Sequence, residues 1–263
     1  MNDEMTKPAL AILQPDWDKI KPANVDALMT LREGGVSSGP FGGKDGVGGF
    51  NVGLYTGDME MCVTMNRRLA SQLVPTDPKW LKQVHGDRVV DAETAKPEEE
   101  ADASTSVTPG VVCVVQVADC LPVLLAEKSG KAVAAVHCGW RSLASGILQK
   151  TVARLRERLG DSDAQFIAWL GPRIGNDDFE TGADVLEAMR ETISGAEVAF
   201  KAKEDGKYLC SLTTLARMAL LQEEVEDVVE ARHSTYANSE LFYSYRRDGK
   251  TGRHAVMIWI KEA

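Results

Sequence analysis

Histidine is scarce in this chain. There are four in 263 residues, at positions 85, 137, 233 and 254. So few imidazoles exclude a centre that needs many of them to hold several copper ions. Positive charge is also short: 30 Lys and Arg stand against 39 Asp and Glu, a formal net charge of -9. An acidic surface repels the phosphates of nucleic acid, so no nucleic-acid role is expected. A local basic pocket for a small anion stays open. Long apolar runs are missing too. The most apolar segment, VVCVVQVADCLPVLL, is broken by Gln116, Asp119 and Pro122 and is too short to span a bilayer, so no membrane role is expected. The segment MNDEMTKPALAILQPDWDKI lacks the basic start and apolar stretch of a secretory signal, and a cytoplasmic setting is expected. Five cysteines, at 62, 113, 120, 138 and 210, are odd in number and irregular in spacing. They predict reduced thiols rather than a disulfide framework.

What is present suits a folded globular protein: 44% hydrophobic and 26% charged residues. Residues 1–25 carry three prolines and little periodicity, and they read as an arm. Residues 26–263 show no break in composition and read as one domain. The stretch 33–57, EGGVSSGPFGGKDGVGGFNVGLYTG, is rich in glycine. It is either a long surface loop or a loop whose backbone approaches a ligand closely. Helices are predicted over 59–73, 141–159, 183–193 and 212–224, with Gly160 as a stop. Strands are predicted over 80–90 (interrupted at His85-Gly86-Asp87), 111–118, 131–138, 166–170, 241–245 and 255–260. Such a mixture implies an α/β fold.

Chemistry concentrates at strand ends. His137 closes AVAAVHCGW just before a helix, and His85 interrupts LKQVHGDRVV. If 111–120 stays extended, Val112, Val114, Gln116, Ala118 and Cys120 share one face. Val133, Ala135 and His137 share another, with Cys138 turned away. Cys120 and His137 can then converge, while Cys113 and Cys138 read as core thiols. One thiolate and two imidazoles form a good three-donor set for Zn²⁺ and leave a fourth position open. Two alternatives remain at this point. Cys120 could be a nucleophile with His137 as its base and Asp119 or Gln116 orienting groups. The three residues could also be two satisfied histidines and a buried thiol. Arginines cluster at 246, 247 and 253; Arg141 follows Gly139-Trp140, and Arg32 precedes the glycine-rich stretch. Several would have to converge to bind phosphate or carboxylate.

Several segments then carry a resemblance: TLREGGVSSGP, NVGLYTGD, LKQVHGDRVV, ADCLPVLL, AAVHCGWRSLASGIL, WLGPRIGNDDFETG and FYSYRRDGKTGR. Over roughly residues 25–260 the chain resembles the YfiH/YlmD family, also called the laccase-domain or multicopper polyphenol oxidoreductase family. The resemblance implies a single-domain mixed α/β/β/α sandwich similar to cysteine hydrolases. It implies His85, Cys120 and His137 as ligands of one Zn²⁺, with copper the less favoured metal. It further implies phosphorolysis of adenosine, inosine and methylthioadenosine, with deamination of adenosine. Purine nucleoside and phosphate are then the partners, and the protein is expected to be a monomer or homodimer. Arg32, Asn51, Gln83 and Arg247 are taken as substrate contacts from their places in the matched segments. Asp119 is taken as a ligand-orienting or proton-transferring residue, and Asp102 is carried over from the ADAS segment. In one departure, Ser234-Thr235-Tyr236 stands where the family usually has Cys-Thr-Tyr, so no thiol acts there. The rival readings are an editing amidase on peptidoglycan precursors, a copper-dependent phenol oxidase and a non-catalytic zinc module. Four histidines speak against the oxidase.

Overall fold

The computed structural model describes residues 10–262. Its centre is two β-sheets packed face to face. The first orders β1 (Ile12–Leu13), β2 (Val25–Thr30), β10 (His254–Ile260) and β5 (Cys113–Val117). The second orders β9 (Asp227–Glu230), β8 (Phe166–Leu170), β6 (Leu121–Glu127), β7 (Val133–Cys138), β4 (Ala103–Ser106) and β3 (Val89–Asp91). Strand pairing in the second sheet is antiparallel along β8, β6, β7 and β4, with parallel partners at both edges.

Period-two alternation sorts the strand residues into layers. Cys113, Val115 and Val117 of β5 meet Leu124, Val133, Ala135 and Trp169 between the sheets. The other face of β6 and β7, through Val123, Ala134, Val136 and Cys138, packs on helices. Those helices are α3 (Ile147–Leu159), α4 (Ala183–Thr192) and α5 (Leu212–Gln222). On the opposite side, Val112, Val114 and Met257 pack with Ala70 of α1 (Glu60–Ser71). Helices therefore flank both sheets in a mixed α/β fold. Residues 10–25 contribute to this body: β1 pairs with β2, and Trp17 is buried in the layer between the sheets. Among the described residues no helix is long and apolar enough to cross a membrane.

Several predicted elements change shape. The stretch 80–90 is strand only at Leu81–Lys82 and in β3, because the backbone between them is bound to a side chain instead of a ladder. The helix predicted over 141–159 is two, α2 (Trp140–Ala144) and α3, separated at Gly146 with φ 77°. Residues 241–245 form no strand. Ser244 Oγ accepts the Arg247 N–H at 3.2 Å and caps α6 (Tyr245–Asp248). The glycine-rich stretch is folded on itself and clamped by the buried amide of Asn66, bonded to Val36, Ser37, Gly49 and Asn51. A Cβ on Gly35 would lie 2.3 Å from the Gly49 carbonyl, so close backbone crossing explains the glycines there.

His254 is a core acceptor. Its Nε2 takes the Tyr243 N–H at 2.8 Å. Burial, followed by the charges of Arg32, Arg253 and Arg247, pushes its pKa down from 6.5 to about 3. The unfolded chain thus binds an extra proton below pH 6.5, so this contribution is complete above that pH and is lost as pH falls toward 3. Denaturant unfolding from pH 7 to pH 4 should show this slope, and His254→Gln should flatten it by up to about 1.4 kcal/mol per pH unit. An unchanged slope in the variant would count against it.

Candidate metal centre

Asp102, immediately before β4, is fully buried. Its Oδ1 accepts the His85 N–H at 3.0 Å and faces His137 Nδ1 at 2.8 Å. Its Oδ2 accepts the N–H groups of Val84 and Gly86 at 3.1 and 2.8 Å. Its carbonyl accepts the His137 N–H at 2.8 Å. Burial raises the carboxyl pKa, but the His137 bond and the backbone donors outweigh it and hold the group below its ordinary value. This cradle keeps His85 at φ 59°, a left-handed conformation uncommon for a side-chain-bearing residue.

Cys120 arrives by a different route from the one strand alternation suggests. β5 ends at Val117, and the chain passes to β6 in the other sheet through Ala118-Asp119-Cys120. Asp119 has φ 92° at this crossing. Its Oδ1 accepts Thr235 Oγ1 at 2.6 Å, and its Oδ2 accepts Ser244 Oγ and the Arg246 N–H at 3.0 and 2.6 Å. Both carboxylate oxygens are engaged, so the geometry fits a positioning residue better than a proton carrier. The turn, not an extended face, brings the thiol to the histidines.

The donor atoms of His85, Cys120 and His137 lie within 4.8 Å of one another. His85 Nε2 is 3.8 Å from Cys120 Sγ, and the two rings meet edge-on with centroids 4.8 Å apart. Burial opposes ionisation of the Cys120 thiol, but the His137 charge and hydrogen bonds from both histidines bring it down to about 6. His137 moves the other way: burial disfavours its charge, while Cys120 and Asp102 raise it to about 9. Each group thus favours the charged form of the other. The donor set fits zinc: bonds of about 2.0–2.3 Å set tetrahedral ligands about 3.3–3.8 Å apart, so His85 and Cys120 already stand at ligand spacing, and any wider separation narrows as the donors close on the ion. His137 gives Nδ1 to Asp102 and keeps Nε2 for a metal, the usual second partner of a ligating histidine. A Cβ on Gly139 would lie 2.8 Å from His85 Cδ2 and 3.3 Å from Cys120 Sγ, so only glycine leaves the three donors free to close on an ion.

These residues form one wall of a cavity of about 520 Å³, within the size range of small-molecule sites. Gln83 lines it, although its amide is clasped to Gln116, whose N–H and carbonyl it binds at 2.6 and 2.8 Å. Arg32 and Arg247 do not reach it. Arg32 donates to the carbonyls of Gly42 and Ser239, and Arg247 to those of Thr235, Tyr236 and Phe242, so both guanidinium groups hold loops together. Asn51 is buried and also stands back, with Oδ1 accepting the Arg253 N–H at 2.8 Å. The arginines on the cavity are Arg141, Arg246 and Arg253. Each lies over an aromatic ring: Trp140 at 4.3 Å, Phe179 at 5.2 Å and Tyr245 at 5.7 Å. The arginine cluster was visible in the sequence, but which members converge was not. The rings carried no signal, because an aromatic residue in a sequence reads first as core. Ser234 sits beside Gly175, and its Oγ accepts the Ala237 N–H at 3.2 Å, away from the donors.

Fold and site together define a mixed α/β protein with a three-donor metal-type site in a cationic cavity. The chain belongs to the YfiH/YlmD family: the family model described as multi-copper polyphenol oxidoreductase laccase matches residues 26–261. A purine nucleoside phosphorylase of Pseudomonas aeruginosa is 39% identical over 253 residues, covering 96% of this chain and 99% of the relative. The purine nucleoside phosphorylase YfiH of Escherichia coli is 41% identical over 253 residues, covering 95% and 98%. A solved Neisseria meningitidis protein has a TM-score of 0.87 at 41% identity, covering 95% of this chain and 99% of that one. YlmD of Geobacillus stearothermophilus has a TM-score of 0.81 at 28% identity, covering 91% and 93%.

Removing the shared carboxylate should loosen the site without deleting a donor. Asp102→Ala is expected to weaken metal binding by about 10- to 100-fold, measured by competition with a chromophoric chelator. Wild-type affinity in the variant would show that the cradle does not organise the donors.

Proposed function

We propose that this protein is a zinc-dependent purine nucleoside phosphorylase acting on adenosine, inosine and methylthioadenosine, with adenosine deaminase activity at the same site. The observation that carries the reading is a single cavity combining the His85–Cys120–His137 set, three arginines and four aromatic rings. Arginine recognises phosphate, aromatic rings stack on a purine, and the volume suits a nucleoside with an inorganic anion. Relatives named purine nucleoside phosphorylase, at about 40% identity over nearly the whole chain, support an enzymatic role and this substrate class.

In phosphorolysis a phosphate oxygen bonds to the anomeric carbon of the ribose. The bond from that carbon to the base nitrogen breaks, and the base departs with the electron pair. Tyr55, Trp140, Phe179 and Tyr245 give the base apolar surface and exclude water, while the arginines make the cavity attractive to the anion. Asp119 and Asp102 fix the Cys120 turn and the two histidines. Zinc, when bound, supplies a Lewis acid that polarises a substrate oxygen or activates water.

A second reading is an amidase acting on a peptidoglycan precursor. The thiolate of Cys120 beside two imidazoles is what favours it. Copper chemistry with several ions fits poorly, since the described residues offer one such donor group. We place the protein in the cytoplasm as a monomer or homodimer.

His85→Ala should reduce phosphorolysis of inosine and adenosine at least about 100-fold and lose stoichiometric zinc, read by phosphate-dependent base release and by metal analysis. Full phosphorolysis by the variant would reject the assignment. Release of amino acid from a muropeptide by the wild type, with no activity on nucleosides, would favour the amidase.

A further inference from the structure

The three cavity arginines are not equivalent. Arg141 and Arg246 are exposed, whereas Arg253 is partly buried. Arg246 donates to the Glu180 carbonyl at 3.3 Å. Arg253 donates through Nη1 to the carbonyls of Thr251 and Gly252 at 3.1 and 2.9 Å. Among the described residues, no carboxylate pairs with its guanidinium, and no protein acceptor takes its Nε or Nη2. Those two N–H groups lie on one edge and match two oxygens of a phosphate.

The stem of Arg253 is fixed from several sides. Its backbone N–H goes to Asn51 Oδ1 at 2.8 Å, and that amide is held in turn by Thr56 and Asp58 at 3.0 Å. A Cβ on Gly53 would lie 2.7 Å from Arg253 Cγ, so the glycine makes room for the stem. The Tyr245 ring lies 5.7 Å from the guanidinium carbon. A rigid arginine loses little entropy when it binds a ligand.

The local charge balance leads to the same place. Burial disfavours the Arg253 charge, and Cys120, then Asp119 and the Tyr245 hydroxyl, support it. Asp119 is already committed to Thr235, Ser244 and Arg246. Cys120 is committed to the donor set. A half-buried cation on a cavity wall whose neighbouring anions are committed elsewhere is best neutralised by an anion within the cavity.

We propose that Arg253 is the residue that grips inorganic phosphate, through Nε and Nη2, while Arg141 and Arg246 act at the mouth by long-range attraction. The inference rests on the phosphorolytic reading and names the residue that sets its co-substrate. Asn51, expected from the sequence to touch substrate, becomes the residue that positions Arg253.

The test uses the zinc-loaded full-length protein and inorganic phosphate, with affinity measured by titration calorimetry. Arg253→Met should raise the phosphate Kd about 10- to 100-fold or more. Arg253→Lys keeps the charge but not the two-pronged edge, and its Kd should still rise about tenfold. Arg141→Met and Arg246→Met should each change it less than about threefold, with a weaker salt dependence. Zinc content should stay at the wild-type level in all four. Should Arg253→Met fail to fold, the lysine variant carries the comparison. Wild-type affinity in the folded Arg253 variants, no phosphate binding by the wild type, or an equal loss in Arg141→Met would overturn the assignment. Inosine phosphorolysis on the same samples separates the two levels. A phosphate KM that rises in Arg253→Lys with an unchanged nucleoside KM supports both. Absence of phosphorolysis in the wild type, with phosphate binding still dependent on Arg253, rejects the phosphorylase reading and leaves the anion subsite standing.

Discussion

The carboxylate of Asp102 is the constraint on which the site depends. One buried anion binds the backbone of 84–86 and the ring of His137, so two donors from distant parts of the chain share one anchor. A buried carboxylate is costly without partners, and this one has four. Its satisfaction and the placement of the histidines are therefore the same event. The left-handed backbone at His85 follows, since three successive N–H groups turned toward one carboxylate leave the chain no extended path.

The third donor comes from the seam between the sheets. Cys120 lies where the chain leaves β5 in one sheet for β6 in the other. Asp119 ties that crossing to Thr235, Ser244 and Arg246. The thiol is placed by how the two sheets pack and by how the C-terminal loops close over them. Gly139 completes the arrangement by having no side chain where the three donors meet.

Much of this was legible beforehand, and the gaps have physical causes. Strand ends of high apolar content pointed to β7 and to His137 at its end. Alternation chose Cys120 and His137 over Cys113 and Cys138, which do lie in the core. The reason was only half right, because β5 stops before Cys120 and a turn does what an extended face was expected to do. Arg247 and Arg32 were misplaced because a sequence does not show which carbonyls a guanidinium will bind. A strand over 241–245 was expected from apolar content alone. The Ser244 cap and the His254 acceptor satisfy that backbone instead.

Most cations and rings of the cavity stand on stretches of chain that Asp102 does not hold; Trp140 and Arg141, just after His137, are the exception. Tyr55 lies near the end of the glycine-rich stretch, Phe179 precedes α4, and Arg246 and Arg253 flank the last turn before β10. The metal-type centre and the substrate wall meet at Asp119, whose carboxylate fixes the Cys120 turn and accepts the Arg246 N–H. The arginine-bearing loop can therefore shift the thiol through Asp119 without touching the Asp102 cradle that holds the two histidines.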